Sequence, residues 1–529
     1  MPKTRPLLRG EITYSTAQRE EVNILHRLRY HDERHKFFAH VYEKRNWIEA
    51  IVAHHLNLGS SNSCRMEDVE NWHHGSFNLC VPVVVSGWKQ KQQPGGRVLL
   101  RFPLPYRVGD AFRPGNGDEK IRCEAGAYAW LQENCPDVPI PKLYGFSTST
   151  GETFTRLQNL PSLTRYFQYI RRRLLSWLGR PVPTQFVRHR TASHMSSDRV
   201  VGVGYLLIEY IEEEQGEMLS NTWPEKQHDI RLRTNFFRDL SRILLSVTRI
   251  PLPKIGSFII DHNGFLCLTN RPLSLEIQDL ENEEIPTNIP RDYTYSTVDS
   301  YVTDILRIHD SRLRHQPNAI NDTGDYIYQT SALAAMRTVF PSFFNPELRR
   351  GPFTFIFTDF HQSNIFVDKD WHITSLVDLE WACTRPIEML RTPTWLTNKA
   401  VDEIAEEPEE YDMMRREFME ILVAEEQRLS TSASNDESPQ LSAIMEESWR
   451  VGTFWYSLAL ASPTGLFAVF YKQIQPRFLE NCPEHDTFQQ IMPWYWAQDW
   501  VKVAASKLSD RKEYDIRLRQ AFEGDTITE

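Results

Sequence analysis

An α+β protein of two lobes, a small strand-rich one followed by a larger helical one, is the fold this sequence predicts. Three observations predict it. From Gly75 to about Tyr210 the apolar residues run in short β-rich stretches around one clear helical pattern. Beyond residue 225 helical periodicity takes over. That second half is interrupted by a hairpin pattern between Phe357 and Ala382. At 529 residues the chain has room for two or more packed units of about 100–200 residues each.

Residues 1–60 are charged and bear histidines, with a helix near Lys36–Leu56, and read as an N-terminal helical extension. Residues 61–215 read as the small lobe. Within it "GSFNLCVPVVV" and "RVLLRFPLP" are strands joined by the turn "SGWKQKQQPGG". "DEKIRCEAGAYAWLQENC" has apolar residues at helical spacing, and "VGYLLIEYIE" is a buried strand. Residues 156–199 form a basic insertion with nine arginines. Its segment "YFQYIRRRLLSWLG" is amphipathic: such a stretch packs on its own protein, lies on an acidic membrane surface or grips an acidic ligand. Its place just before the "VGYLLIEYIE" strand puts it at the mouth of the cleft between lobes. Residues 216–529 read as the helical lobe. There Val451–Tyr471 is uncharged over nearly a bilayer's length. Ser462-Pro463-Thr464-Gly465 divides it into two short buried helices, so no transmembrane span is expected. Ser430–Ser442 is a polar loop, and the acidic runs 279–286 and 403–412 are solvated faces.

Composition narrows the function. The chain is 41% hydrophobic and 25% charged, ordinary for a globular protein, and its net charge of −10 argues against a nucleic-acid partner. Seven scattered cysteines, odd in number and without a CxxC pair, suit reduced thiols rather than a disulfide framework. The N-terminus shows no apolar secretory core, so a cytoplasmic protein is expected. Other signatures are absent or incomplete: there is no GxxxxGK[ST], HExxH or GxSxG, and "GVG" at 202–204 precedes a strand instead of opening a helix. The adjacent pairs His54-His55 and His73-His74 are poorly spaced for chelation and read as core or surface histidines.

The hairpin carries the chemistry. In "FTDFHQSNIFVDKDWHITSLVDLEWA" the strands Ile365–Val367 and His372–Val377 flank a turn at 368–371. Hairpin ends lie side by side, so Asn364 and Asp378 should be close, and the run Phe353–Phe357 delivers Asp359 to the same region. Mg²⁺ prefers hard oxygen ligands and keeps phosphate oxygens in its shell. Phosphoryl transfer needs such ligands and a carboxylate to orient the attacking hydroxyl. A turn cap, a loop closure and a strand end use the same residue types, and the hairpin alone does not choose between the readings. The small lobe supplies what else such a site needs. "HHGSFN" sits as a phosphate-covering turn would, with Gly75 permitting close approach and Ser76 offering a hydroxyl and an amide. Arg101 follows the strand run Val98-Leu99-Leu100, Glu124 lies on the next helix, and Glu209 and Ile211 lie where backbone between lobes can hold an adenine.

Together these residues resemble the aminoglycoside phosphotransferase family, and within it fungal proteins with a long insertion before the hinge strand. The resemblance spans Asn71 to Leu396 and is most specific in "TDFHQSNIFVD…SLVDLEWA" and "EKIRCEAGAYAWLQENCPDVPIPKLYGF". It implies a protein-kinase-like fold and ATP- and Mg²⁺-dependent phosphorylation of a small-molecule hydroxyl. Asp359 would be the catalytic base, Asn364 and Asp378 the Mg²⁺ ligands, and Glu124 the helix carboxylate. Two positions depart from the family pattern. Phe357 stands where His is usual, and Arg101 stands where the strand cation is usually Lys. Those departures are what a second reading, a non-catalytic kinase-like nucleotide-binding or scaffold protein, would rest on. His361 and Glu380 fit the pattern as parts of the loop scaffold.

Overall fold

The β-rich stretches of the first half pair into one eight-stranded sheet. The computed structural model describes residues 3–59, 63–88, 96–189, 201–430, 440–479 and 485–523. The turn at 89–95, the end of the basic insertion at 190–199, most of the polar loop (431–439) and Cys482 lie outside the described residues. The predicted N-terminal helix is two helices, Tyr30–Glu43 (α1) and Arg45–His55 (α2). The strands are Cys64–Met66 (β1), His73–His74 (β2), Asn78–Val85 (β3), Arg97–Pro103 (β4), Leu143–Ser147 (β5), Thr153–Arg156 (β6), Phe186–Arg188 (β7) and Tyr205–Glu209 (β8). Their order is β1-β3-β4-β8-β5-β6-β7, with β2 paired to β3.

Side chains alternate between the faces of a strand. On β3 and β4, Leu79, Val81, Val83, Val98, Leu100 and Phe102 share one core with Val41, Trp47, Ile48 and Val52 of α1 and α2. Arg101, between Leu100 and Phe102, therefore points to the other face, where helix Asn116–Asn134 (α3) lies. His55 behaves as a core histidine: it is buried, and its ring nitrogens meet the hydroxyls of Thr155 and Tyr205 at 2.9 and 3.0 Å.

The basic insertion forms a helix, Ser162–Trp177 (α4), between β6 and β7. Because β6 and β7 pair with each other, they extend the sheet beyond β5 and carry α4 to its outer edge. The described part of the insertion, 156–189, is thus separated from β4 by the strands β8, β5 and β6 and does not stand at the cleft mouth.

The second half is helical, as its periodicity predicts: Ile230–Thr248 (α5), Leu275–Asn282 (α6), Val298–His315 (α7), Thr323–Val339 (α8), Pro408–Ser430 (α9), Leu441–Val451 (α10), Thr453–Leu460 (α11) and Trp500–Glu523 (α12). The uncharged run breaks after α11 into a second short helix, Leu466–Val469, both buried. Among the described residues no helix is long and apolar enough to cross a membrane.

Short strands fit between these helices: Ser257–Ile260 (β9) pairs with Leu266–Asn270 (β10), and Phe353–Phe357 (β11) with Ala382–Pro386 (β14). The hairpin Ile365–Val367 (β12) and Ile373–Leu376 (β13) pairs Ile365 with Leu376. Helix α3 is pressed onto β9 so closely that a Cβ on Gly126 would stand 2.1 Å from the Phe258 carbonyl oxygen. Four residues on, Trp130 stacks against both Phe258 and Phe355, at 5.7 and 4.5 Å. The helix of the small lobe is thereby anchored in the large one.

Candidate active site

The hairpin mouth closes as its sequence predicts. Val377 donates its amide to the Asn364 carbonyl at 2.9 Å, which sets Asp378 beside Asn364. Asp378 takes a left-handed backbone (φ 59°, ψ 56°), a conformation uncommon for a residue other than glycine. The Asp359 loop is braced from several sides. Asn364 Nδ2 donates to the Asp359 carbonyl at 3.0 Å, Thr358 Oγ1 to the Trp381 carbonyl at 2.6 Å, and Trp395 Nε1 to the Phe360 carbonyl at 2.6 Å. Phe357 packs on Phe355 and Phe360, at 5.6 and 6.0 Å, so aromatic contact occupies the position where the family pattern has His. His361 caps the turn that follows by accepting from the Ser363 amide at 3.3 Å.

Arg101 joins the two lobes at this point. Its Nη1 donates to Glu124 Oε1 at 2.5 Å, and its Nη2 lies 2.7 Å from Asp378 Oδ1 and 2.5 Å from Glu380 Oε2. The forked head of arginine makes this double engagement possible. The sequence reading missed a second cation, Lys120, one helical turn before Glu124 on the same face of α3. Its Nζ donates to Glu380 Oε2 at 2.7 Å and Asn78 Oδ1 at 2.6 Å, lies 5.6 Å from the Trp381 ring centre, and is fully buried. Asn78, the first residue of β3, donates to Glu380 Oε2 at 2.7 Å. The i,i+4 spacing of Lys120 and Glu124 is the one sequence signal that points to this pair.

The electrostatics follow from the count of charges. Two cations, Arg101 and Lys120, face four carboxylates: Glu124, Asp378, Glu380 and Asp359. Burial pushes Asp359 up to about 7, reinforced by the negative charges of Glu380 and Asp378. Burial pushes Glu124 up to about 7 as well, against the pull of Arg101 and Lys120. Partial loss of hydration also raises Asp378, whose side chain remains 38% exposed, with Arg101 opposing the shift and Glu380 adding to it. Glu380 alone ends below the ordinary range, since Lys120, Arg101 and the bond from Asn78 outweigh the effect of its burial. The hydrogen bonding is also incomplete: Arg101 Nε and Glu124 Oε2 are buried without a partner.

The remaining predicted residues frame this cluster. Gly75 and Ser76 form the turn between β2 and β3, closed by the Gly75 amide on the Asn78 carbonyl at 3.0 Å. Space beside Gly75 is open to 4 Å, and Phe77 folds inward to meet Trp381 edge-on at 5.2 Å. Glu209 ends β8 and accepts the Lys142 amide at 3.0 Å. Beyond it, Arg97 lies over the Tyr210 ring at 4.1 Å and grips Glu212, fixing the crossing between lobes that contains Ile211. Glu209 and Ile211 lie on the segment between lobes, and Glu209's bond is to Lys142 rather than to the Arg101 cluster.

The model of the family described as "Phosphotransferase enzyme family" matches residues 88–389. No curated protein matches the chain. Among solved structures, one similar chain is a thermostable mutant of the aminoglycoside phosphotransferase APH(4)-Ia, in ternary complex with AMP-PNP and hygromycin B. Identity is 10%, coverage is 88% of this chain and 96% of that one, and the TM-score is 0.34. Another is an ethanolamine kinase of Plasmodium vivax, with 11% identity, coverage of 84% and 85%, and a TM-score of 0.33. Matched by the family model over more than half its length, the chain belongs to the phosphotransferase enzyme family.

Proposed function

We propose that the protein is an ATP- and Mg²⁺-dependent phosphotransferase acting on a hydroxyl of a small molecule. One observation carries this reading: Arg101 is bonded at once to the small lobe's Glu124 and the large lobe's Asp378, whose negative charge also acts on the half-buried carboxylate of Asp359. A phosphoryl-transfer site works mainly by positioning and charge neutralisation, and such a cluster supplies both.

The donor set fits a hard divalent cation. Asn364 Oδ1 has only a 3.3 Å contact from Ser363 Oγ, and the Asp378 side chain is 38% exposed although one oxygen is engaged by Arg101. The cluster's carboxyl groups outnumber its two cations, Arg101 and Lys120, and a divalent cation would reduce that imbalance. In this reading Asn364 and Asp378 hold the metal, ATP supplies the transferred group, and Mg²⁺ offsets the charge of its phosphates. The Gly75-Ser76 turn covers the phosphates, and backbone at Glu209 and Ile211 holds the base. Arg101 keeps Asp378 and Glu124 in register. Asp359, its pKa near neutrality, accepts the proton of the substrate hydroxyl at its carboxylate.

The experiment is a screen of ATP consumption with the purified protein against small alcohols, amino alcohols and sugars, run beside Asp359→Asn. The expected result is turnover with one chemical group of substrates, lost in the variant. Absence of turnover across the panel, together with absence of ATP binding, would defeat the reading. ATP binding without turnover and without metal dependence would favour the scaffold reading instead.

A further inference from the structure

Helix α4 is mounted with its polar side inward. At about 100° per residue, Leu163, Tyr166, Phe167, Ile170, Leu174 and Trp177 share one sector of about 120°. Arg173 borders that sector on one side and Arg171 on the other. In an ordinary surface helix this apolar stripe faces the core. Here it faces away: Trp177 is 81% exposed, Leu163 78% and Phe167 70%. The opposite, polar side does the docking. Arg172, 7% exposed, donates to the Thr184 carbonyl and to Gln168 Oε1, and Arg165 donates to the Gln158 carbonyl at 3.1 Å. Thr184 is held in turn by the Gly264 carbonyl, which accepts its amide at 2.7 Å and its hydroxyl at 2.9 Å. The mount is therefore firm, and what it presents outward is a row of large apolar side chains. Leu178 and Val182, also exposed, extend the row past the helix end.

Charge selects the occupant. From Thr153 to Ser197 the chain has no Asp or Glu, in a protein whose net charge is −10. A second copy of the same face would bring arginine rows against each other, which is unfavourable. An anionic bilayer is complementary in both respects. Apolar side chains enter the boundary between headgroups and acyl chains, while arginines at the stripe's edges reach up to lipid phosphates.

We propose that α4 is a membrane-surface helix that docks the protein, through Leu163, Phe167, Ile170 and Trp177 with Arg171 and Arg173, onto anionic lipid. The inference is independent of the reaction proposed above and stands or falls by itself. Its test is flotation of the full chain with vesicles of phosphatidylcholine alone and with mixed phosphatidylcholine–phosphatidylserine vesicles. The wild type should float with the anionic vesicles, and more weakly as salt rises. Phe167→Ser/Trp177→Ser and Arg171→Glu/Arg173→Glu should each reduce the bound fraction about tenfold or more. All four side chains are exposed, so an unchanged thermal melt serves as the control for folding. Three results would overturn the proposal: no flotation of the wild type with anionic vesicles, flotation of both double variants at the wild-type level, or a wild-type dimer in sedimentation that Phe167→Ser/Trp177→Ser converts to monomer.

Discussion

Helix α3 carries two buried arginine–carboxylate clusters built to opposite specifications. Around Glu119, the fully buried Arg271 uses all of its nitrogens. Nε and Nη2 reach the two Glu119 oxygens at 2.8 Å each, and Nη1 and Nη2 reach Glu281 at 2.6 and 2.8 Å. Arg113 and Arg291 join them, so three cations face two carboxylates. Around Glu124 the balance is reversed, with two cations facing four carboxylates, and Arg101 Nε and Glu124 Oε2 are left without partners. Acid strength records the difference. Glu281 ends below the ordinary range, because the bonds and charge of Arg271 outweigh burial, whereas Glu124 and Asp359 are pushed up to about 7. One helix thus holds a saturated cluster that fixes it to the large lobe and an unsaturated one in which buried polar atoms are left without partners. A buried charge network left short of counter-charge is costly unless something completes it. If the Glu124 cluster binds a cation as proposed, incompleteness more than burial is what separates it from the structural cluster around Glu119.

Four outcomes would sharpen or break that contrast, taken from the largest expected effect to the smallest. Asp359→Asn should lower turnover by about 10²- to 10⁴-fold, the usual range for a positioned general base. Its circular dichroism should match the wild type, and a variant with full activity would remove Asp359 from the base role. Next, arginine-to-lysine changes test saturation directly. Arg271→Lys forfeits the paired contacts to both Glu119 and Glu281 and should cost about 2–4 kcal/mol in urea unfolding. Arg101→Lys keeps the charge where the bonding is already incomplete, and should cost about 1 kcal/mol while reducing turnover. Equal stability losses would dissolve the distinction between the clusters.

The third outcome concerns the missing charge. At a hundredfold excess over its Kd, ATP with Mg²⁺ should stabilise the fold by about 2.7 kcal/mol. ATP alone should do little, and Asp378→Ala should remove the metal-dependent part of the thermal shift while Arg271→Lys retains it. A shift of the same size without Mg²⁺ would show that the unsaturated cluster is not a metal site. The smallest effect is in the pH dependence. Asp359 binds its proton more tightly in the folded state, with a pKa raised from 3.8 to about 7. Its stabilising contribution is therefore present below the unfolded pKa and lost as pH rises through about 7. Asp359→Asn lacks that loss, so without ligand it should exceed the wild type by about 1–2 kcal/mol at pH 8, the gap closing towards pH 5. Glu281 works with the opposite sign: its depressed pKa contributes stability above the unfolded value of 4.5 that is lost as pH falls through its folded value.

Much of the site was legible in the chain because its parts are local. The hairpin's apolar strands and its 368–371 turn dictate that Asn364 and Asp378 meet, since pairing Ile365 with Leu376 leaves no other arrangement for the flanking residues. Arg101 was legible by alternation, being the one charged residue in the strand run Val98–Phe102. Lys120 and Asn78 were not. A lysine in the first half of a helix and an asparagine opening a strand have many uses, and their shared partner, Glu380, is hundreds of residues away in sequence.

The sequence by itself determined the two-lobed order of strands and helices, the division of the uncharged 451–471 run and the close approach of Asn364 and Asp378 at the hairpin's mouth. Each is set by periodicity or turn chemistry within some twenty residues, where neighbours along the chain are also neighbours in space. Tertiary structure alone decided that Arg101 would answer to carboxylates from both lobes, that Glu119 would be saturated while Glu124 was not, and which side of α4 would face outward. The pattern of α4 shows an apolar stripe bordered by arginines, yet it cannot say which side docks. That depended on the carbonyl of Thr184, itself held by Gly264 of the other lobe, offering Arg172 a buried acceptor. Orientation of this kind is a sum over contacts between distant segments, and no local pattern encodes it.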